Sequence, residues 1–265
     1  MISKRNPIKE LAISGGGIRG IAFVAALVEL ERRGILQLKK IAATSIGAFI
    51  AICLMAGYTP QELLDKLWNW PLNTIKDIDL DNFKNSYSIL CGQELKNFFI
   101  LILSEKGVVD LSLKELYERS NIELYISICC VNTGKIEYFS HKEVPQINII
   151  TLLMMATAIP GILPPIKWNN RLYVDGAIID NCPMSQLSRD AWCIRPKRSS
   201  EKVEPNGILS YFIAIIHIFY KKSREEYKNT IEVDTCNVRV TSFNLTIDQK
   251  MALVVAGKGA VKRIF

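Results

Sequence analysis

Ile41-Ala42-Ala43-Thr44-Ser45-Ile46-Gly47 sets a serine between a short apolar run and a longer one that reaches Met55. A strand that turns sharply into a helix through small residues, with serine at the apex, is a nucleophile elbow and lifts its hydroxyl to the top of a sheet. Two other segments fit the same picture. Upstream stands the glycine cluster Ser14-Gly15-Gly16-Gly17-Ile18-Arg19-Gly20, and downstream the step Val174-Asp175-Gly176-Ala177. Together they can supply a nucleophile, a set of oxyanion donors and a base.

Working outward, Leu11-Ala12-Ile13 is a short apolar run that ends at the glycines. The spacing of Leu, Val and Ala over 21–33 predicts a helix, with Arg32 and Arg33 in its last turn and Gly34 at its C-terminal cap. The first 57 residues thus read strand, glycine loop, helix, strand, elbow, helix. Such a βαβα start calls for a mostly parallel sheet with helices on its faces and a right-handed crossover. Thr59-Pro60-Gln61-Glu62 has the spacing of a capping box, with proline at the first helical position. Further helices are predicted from near Gly92 to about Ser104, from near Leu113, over 147–158 up to Pro160, and over 248–263. Residues 123–131 are rich in β-branched and aromatic side chains, Asn132-Thr133-Gly134 supplies a turn, and 135–140 reads as the hairpin partner. Tyr173-Val174 is a short strand that delivers Asp175.

A chain of 265 residues suffices for one large α/β domain that removes roughly 70–75% of its unfolded surface from water. One domain over 1–265 is expected, with the charged stretch 195–206 as a surface loop. Seven cysteines are an odd number without C-x-x-C spacing, so buried reduced thiols are expected rather than a disulfide framework or a zinc site. The first nine residues have no apolar core of signal-peptide length, which predicts a cytoplasmic protein. The apolar stretch 208–220 is too short to span a bilayer and reads as a core element or an interfacial helix. A net charge of +7 would favour an anionic surface, although a solvated basic face explains it as simply. No nucleic-acid partner is expected.

A serine hydroxyl is a poor nucleophile at neutral pH, so Ser45 needs a base about 2.6–3.2 Å away and donors for the oxyanion its attack creates. Gly15, Gly16 and Gly17 lack Cβ atoms and can turn their N–H groups into a site, with the positive end of the following helix behind them. The base is either Asp175 acting directly or a histidine paired with it. The chain has two histidines, His141 and His217, and of these His217 follows Asp175 in the order a Ser-Asp-His triad would need. His217 nevertheless lies inside an apolar run, which favours Asp175 as a desolvated carboxylate of raised basicity. Asp180 reads as a turn or capping residue.

These three motifs resemble the patatin-like phospholipase family, which places a Gly-Gly-Gly-x-Arg-Gly loop, a G-x-S-x-G elbow and an Asp-Gly-Gly or Asp-Gly-Ala base in this order. Ala156-Thr157-Ala158-Ile159-Pro160-Gly161, Pro164-Pro165 and Asn181-Cys182-Pro183 are similar to that family's approach to and exit from the aspartate, so the likeness covers about residues 9–185. The resemblance implies a three-layer α/β/α sandwich with a mostly parallel central sheet and hydrolysis of acyl esters in membrane lipids. It further implies Ser45 as nucleophile, Asp175 as dyad base, Gly15, Gly16 and Gly17 as the oxyanion loop and Arg19 as that loop's support. Neither a metal nor a cofactor is implied. Ala43 stands where the family usually has glycine, and a tolerated crowding of the turn is expected there.

Gly15, Gly17 and Gly20 also satisfy G-x-G-x-x-G, but a dinucleotide site needs an acidic residue about 20 positions on, at the end of the second strand. Here that strand ends Ala43-Thr44-Ser45. A non-catalytic lipid-binding effector module on the same fold is the second alternative. Arg195, Lys197, Arg198, Lys221, Lys222 and Arg224 are expected to form a basic surface facing a membrane, on which the protein sits peripherally.

Overall fold

Alternate residues of a strand point to opposite faces of its sheet, and the apolar ones here gather mostly on one face. Leu11, Ile13, Ile41, Ala43, Leu124, Ile126, Ile128 and Ile194 belong to one buried cluster. In a computed structural model, residues 6–70, 77–79, 81, 83–197, 205, 207, 210–212, 214–215, 218, 226–239 and 244–265 are described. Their strands are β1 (Ile8–Ile13), β2 (Leu36–Ala43), β3 (Glu123–Cys130), β4 (Lys135–Phe139), β5 (Ile166–Trp168), β6 (Arg171–Asp175), β7 (Trp192–Pro196) and β8 (Thr230–Val233). The helices are α1 (Gly20–Arg32), α2 (Ile46–Met55), α3 (Pro60–Asn69), α4 (Phe83–Ser86), α5 (Gln93–Ser104), α6 (Leu113–Ser120), α7 (Ile149–Ala156) and α8 (Ile247–Lys262).

The sheet runs β5-β6-β3-β2-β1-β7-β8, with β4 added to β3. From β3 through β2, β1 and β7 to β8 every pairing is parallel, while β4 and β6 run antiparallel to β3. This is a mostly parallel mixed sheet flanked by helices, the α/β sandwich that the βαβα start predicted. Among the described residues the helices gather on one side of the sheet. Side chains from α1, α2, α3, α5, α6, α7 and α8 all join the large cluster on one face. Ala12 and Cys193, turned to the other face, are covered by Cys182, Met184 and Ala191 from the segment that follows β6. Two 3-10 turns, Gly176–Ile178 and Met184–Gln186, shape that segment.

Several helices start where the sequence marks them. Thr59 and Thr246 each close a capping box with the residue three positions on, as does Ser112, and Asn148 accepts two backbone N–H groups at the start of α7. At the crossing of α1 and α8, Gly257 lets the helices touch: a Cβ added there would run into the Ala22 carbonyl oxygen and come within 3.0 Å of the Ala25 methyl. Replacing Gly257 by alanine is therefore expected to cost about 1–3 kcal/mol. A thermal melt should show it as a drop of at least ~2 °C.

Two readings of the sequence need correction. Residues 195 and 196 do not open a surface loop: Arg195 and Pro196 end β7, and Arg195 is only 2% exposed. Its guanidinium lies 3.0 Å from Glu232, directly opposite on β8, and 3.4 Å from Glu226. A buried arginine neutralised by two carboxylates cannot belong to a membrane-facing surface. Lys197 is exposed, whereas Arg198, Lys221, Lys222, Arg224 and His217 lie outside the described residues, as does most of 208–220. Among the described residues no helix is long and apolar enough to cross a membrane.

Candidate active site

The arrangement starts with β3, which pairs with three other strands. Its residues Ile126 to Cys130 pair with β4 along one edge. On the opposite edge Ile126 faces Ala43 of β2, and Ile128 faces Asp175 of β6. The parallel β2 and the antiparallel β6 thus approach each other head-on along one edge of β3. Their ends are offset by two positions of β3, about 6.4–6.8 Å of strand. Ser45 leaves one end and Asp175 stands at the other.

Ser45 takes φ 55° and ψ −125°, a backbone conformation that costs a side-chain-bearing residue roughly 1–3 kcal/mol. The surroundings over-determine it. Thr44 N–H donates to the Ile13 carbonyl at 3.1 Å, Gly47 N–H to Thr44 at 2.9 Å and Ala48 N–H to Ser45 at 2.8 Å. Gly47 has to be glycine, since a Cβ would collide with the Ile13 carbonyl oxygen and come within 2.9 Å of its carbon. Ala43, at the first elbow position, is fully buried between its partners Ile13 and Ile126.

Asp175 is 1% exposed, and its N–H donates to Ala158 at 3.0 Å. One carboxylate oxygen accepts the Ala177 N–H at 2.9 Å; the other, Oδ2, is buried without a hydrogen-bond partner among the described residues. Burial disfavours the charged form and pushes the carboxyl from 3.8 up to about 7, against the opposing pull of the Ser45 hydroxyl and the Ala177 N–H. The strand register sets the two residues at the facing ends of β2 and β6. Gly176 sits so tightly on Ser127 of β3 that any Cβ would strike its carbonyl oxygen.

The glycine loop lies against Ser45: a Cβ built on Gly15 would stand 3.2 Å from the Ser45 Cβ. Its three glycines are not equivalent. The Gly15 N–H already donates to the Asn181 carbonyl at 3.2 Å, which removes it from the expected set of oxyanion donors. Among the described residues the Gly16 and Gly17 N–H groups have no acceptor. Gly17 adopts φ 55°, which glycine reaches without strain. Arg19 donates from its backbone N–H (3.3 Å) and its Nε (3.1 Å) to the Gly16 carbonyl. In a trans peptide the C=O and the next N–H point in opposite directions, so holding the Gly16 carbonyl also aims the Gly17 N–H. Gly20 then opens α1, whose N-terminal end favours negative charge.

Sequence reading missed the residues that bind these pieces together. The Thr44 and Ser127 hydroxyls lie 2.6 Å apart, and both are 3.1 Å from the Asp180 carbonyl oxygen. Asp180 also accepts the Tyr138 hydroxyl at 2.8 Å and the Cys182 N–H at 3.0 Å, which gives it the turn role expected and a cross-sheet role besides. Elbow, β3, β4 and the aspartate loop are thereby tied at one buried point. A cavity of about 760 Å³ lined by Tyr125, Tyr138, Trp168 and Tyr173 lies along β4, but neither Ser45 nor Asp175 lines it.

A family model described as patatin-like phospholipase matches residues 11–188. A protein of Invertebrate iridescent virus 6 called probable lipid hydrolase 463L is 25% identical over 252 residues, 93% of this chain and 81% of the viral protein. Lysophospholipase nte1 of Emericella nidulans is 27% identical over 179 residues, 67% of this chain but only 11% of the fungal protein. Among solved structures, VipD from Legionella pneumophila superposes with a TM-score of 0.64 at 16% identity over 97% of this chain. This chain spans 66% of the VipD chain, and the likeness concerns the fold.

Proposed function

This chain belongs to the patatin-like phospholipase family, and from that premise we propose that it is a lipid acyl hydrolase of the phospholipase A or lysophospholipase type working through a Ser45–Asp175 dyad. The carrying observation is the register that brings the two motifs to facing strand ends: a strained, elbow-borne serine and a buried carboxylate with a raised pKa. In the proposed reaction Asp175 takes the hydroxyl proton as Ser45 Oγ attacks the ester carbonyl. The Gly16 and Gly17 N–H groups receive the oxyanion, with Arg19 holding the Gly16 carbonyl. Collapse of the tetrahedral species expels the lyso-lipid alcohol, which regains the proton from Asp175. Water, activated by the same carboxylate, then cleaves the acyl-enzyme and releases the fatty acid.

The substrate is a membrane phospholipid or another acyl lipid, and the working place is the cytoplasmic side of a membrane, approached peripherally. Phospholipid, lysophospholipid and neutral glyceride vesicles incubated with the protein should separate the substrates, with released fatty acid read by mass spectrometry. Fatty acid from at least one lipid is the expected result. Binding to vesicles with no acyl release from any of them would replace the hydrolase by the non-catalytic lipid-binding module.

A further inference from the structure

We infer that Asn181 is the positioning residue of the oxyanion loop, acting through the Gly15–Gly16 peptide to aim the Gly16 N–H. This deepens the hydrolase reading and rests on it. Asn181 is 8% exposed and grips Gly15 from both sides of the chain: its carbonyl accepts the Gly15 N–H at 3.2 Å, and its Nδ2 donates to the Gly15 carbonyl at 3.3 Å. The Ser14 hydroxyl gives the same carbonyl a second donor at 2.9 Å. With two donors holding the Gly15 C=O, the trans geometry of the peptide sends the Gly16 N–H the opposite way. Asn181 therefore does for Gly16 what Arg19 does for Gly17.

Glycine makes such a grip necessary. Flanked by residues without Cβ, the Gly15–Gly16 peptide meets little steric resistance to rotating and presenting its carbonyl where an N–H is wanted. Asn181 also blocks the loop sterically, because its Oδ1 occupies the space in which a Gly15 Cβ would lie. The residue follows Asp180, whose carbonyl takes the Thr44 and Ser127 hydroxyls. One dipeptide thus registers the oxyanion loop against the elbow and the aspartate loop.

Asn181→Asp and Asn181→Ala, compared with the wild type on a short-chain nitrophenyl ester from pH 5 to 8, test the assignment. In Asn181→Asp a carboxylate faces the Gly15 carbonyl and drives the peptide to turn over. At pH 8 kcat should fall about 10²-fold, the loss typical of one oxyanion donor, with KM nearly unchanged. The variant-to-wild-type ratio at each pH cancels the titration of Asp175. It should climb at least ~10-fold toward pH 5 as the new carboxyl protonates and becomes a donor again. Asn181→Ala should lose kcat with a ratio that is flat in pH. Circular dichroism confirms folding; if the Asp variant does not fold, a fall in kcat at constant KM in the Ala variant carries the inference. A pH-independent ratio in a folded Asp variant, or unchanged kcat in both variants, overturns it. A wild type that turns over no ester sinks the hydrolase reading instead.

Discussion

Ser45→Ala is expected to lower ester turnover by about four to six orders of magnitude while leaving the protein folded, because removing the nucleophile of a coupled pair removes nearly all that the pair contributes. The fold has little stake in the hydroxyl: the backbone N–H and C=O groups of residues 44 to 48 hold the elbow, not the Ser45 side chain. Single-turnover assays with a chromogenic ester would show the loss of the acylation burst, and mass spectrometry the loss of the acylated protein. Residual turnover above about 1% of wild type would place the nucleophile elsewhere.

Asp175→Asn is expected to separate activity from stability. Activity should fall by at least ~10³-fold, since an amide cannot take the serine proton. The direction of the stability effect follows from the pKa. Asp175 titrates at about 7 in the folded protein against 3.8 for an unperturbed carboxyl. Between those pH values the folded state binds a proton that the unfolded state has released, so stability declines as pH rises through this window. Above pH 7 the full penalty of burying the charge is present, a difference of roughly 4 kcal/mol. The asparagine variant carries no such charge and should therefore melt above the wild type at pH 8, with the gap closing toward pH 4. In the wild type, kcat/KM should rise as Asp175 loses its proton and level off above about pH 7. A gap in melting temperature independent of pH would remove Asp175 as the titrating group.

Much of this site was readable because each motif is a local signal. The elbow, the glycine cluster and the Asp-Gly step show their chemistry within a few residues, and the capping box at Thr59 fixes a helix start from four letters. What could not be read depends on distant partners. Thr44 and Ser127 are ordinary small polar residues until β2 and β3 pair, and Asn181 meets Gly15 across 166 positions. Arg195 reads as surface because arginine usually is; only the alignment of β7 with β8 sets Glu232 opposite it. The short stretches Leu11-Ala12-Ile13 and Ile41-Ala42-Ala43 proved to be the buried ends of longer strands; the opening half of β1 carries exposed Lys9 and that of β2 exposed Gln37 and Lys39, so neither has a continuous apolar signature.

The positive φ at Ser45 has an evolutionary corollary. Glycine occupies that region freely, so Ser45→Gly should yield an inert protein that melts a few degrees higher, by about 1 kcal/mol after glycine's own entropy is subtracted. Decay of the enzyme is thus thermodynamically downhill: a lineage released from selection for turnover would gain robustness by drifting to glycine.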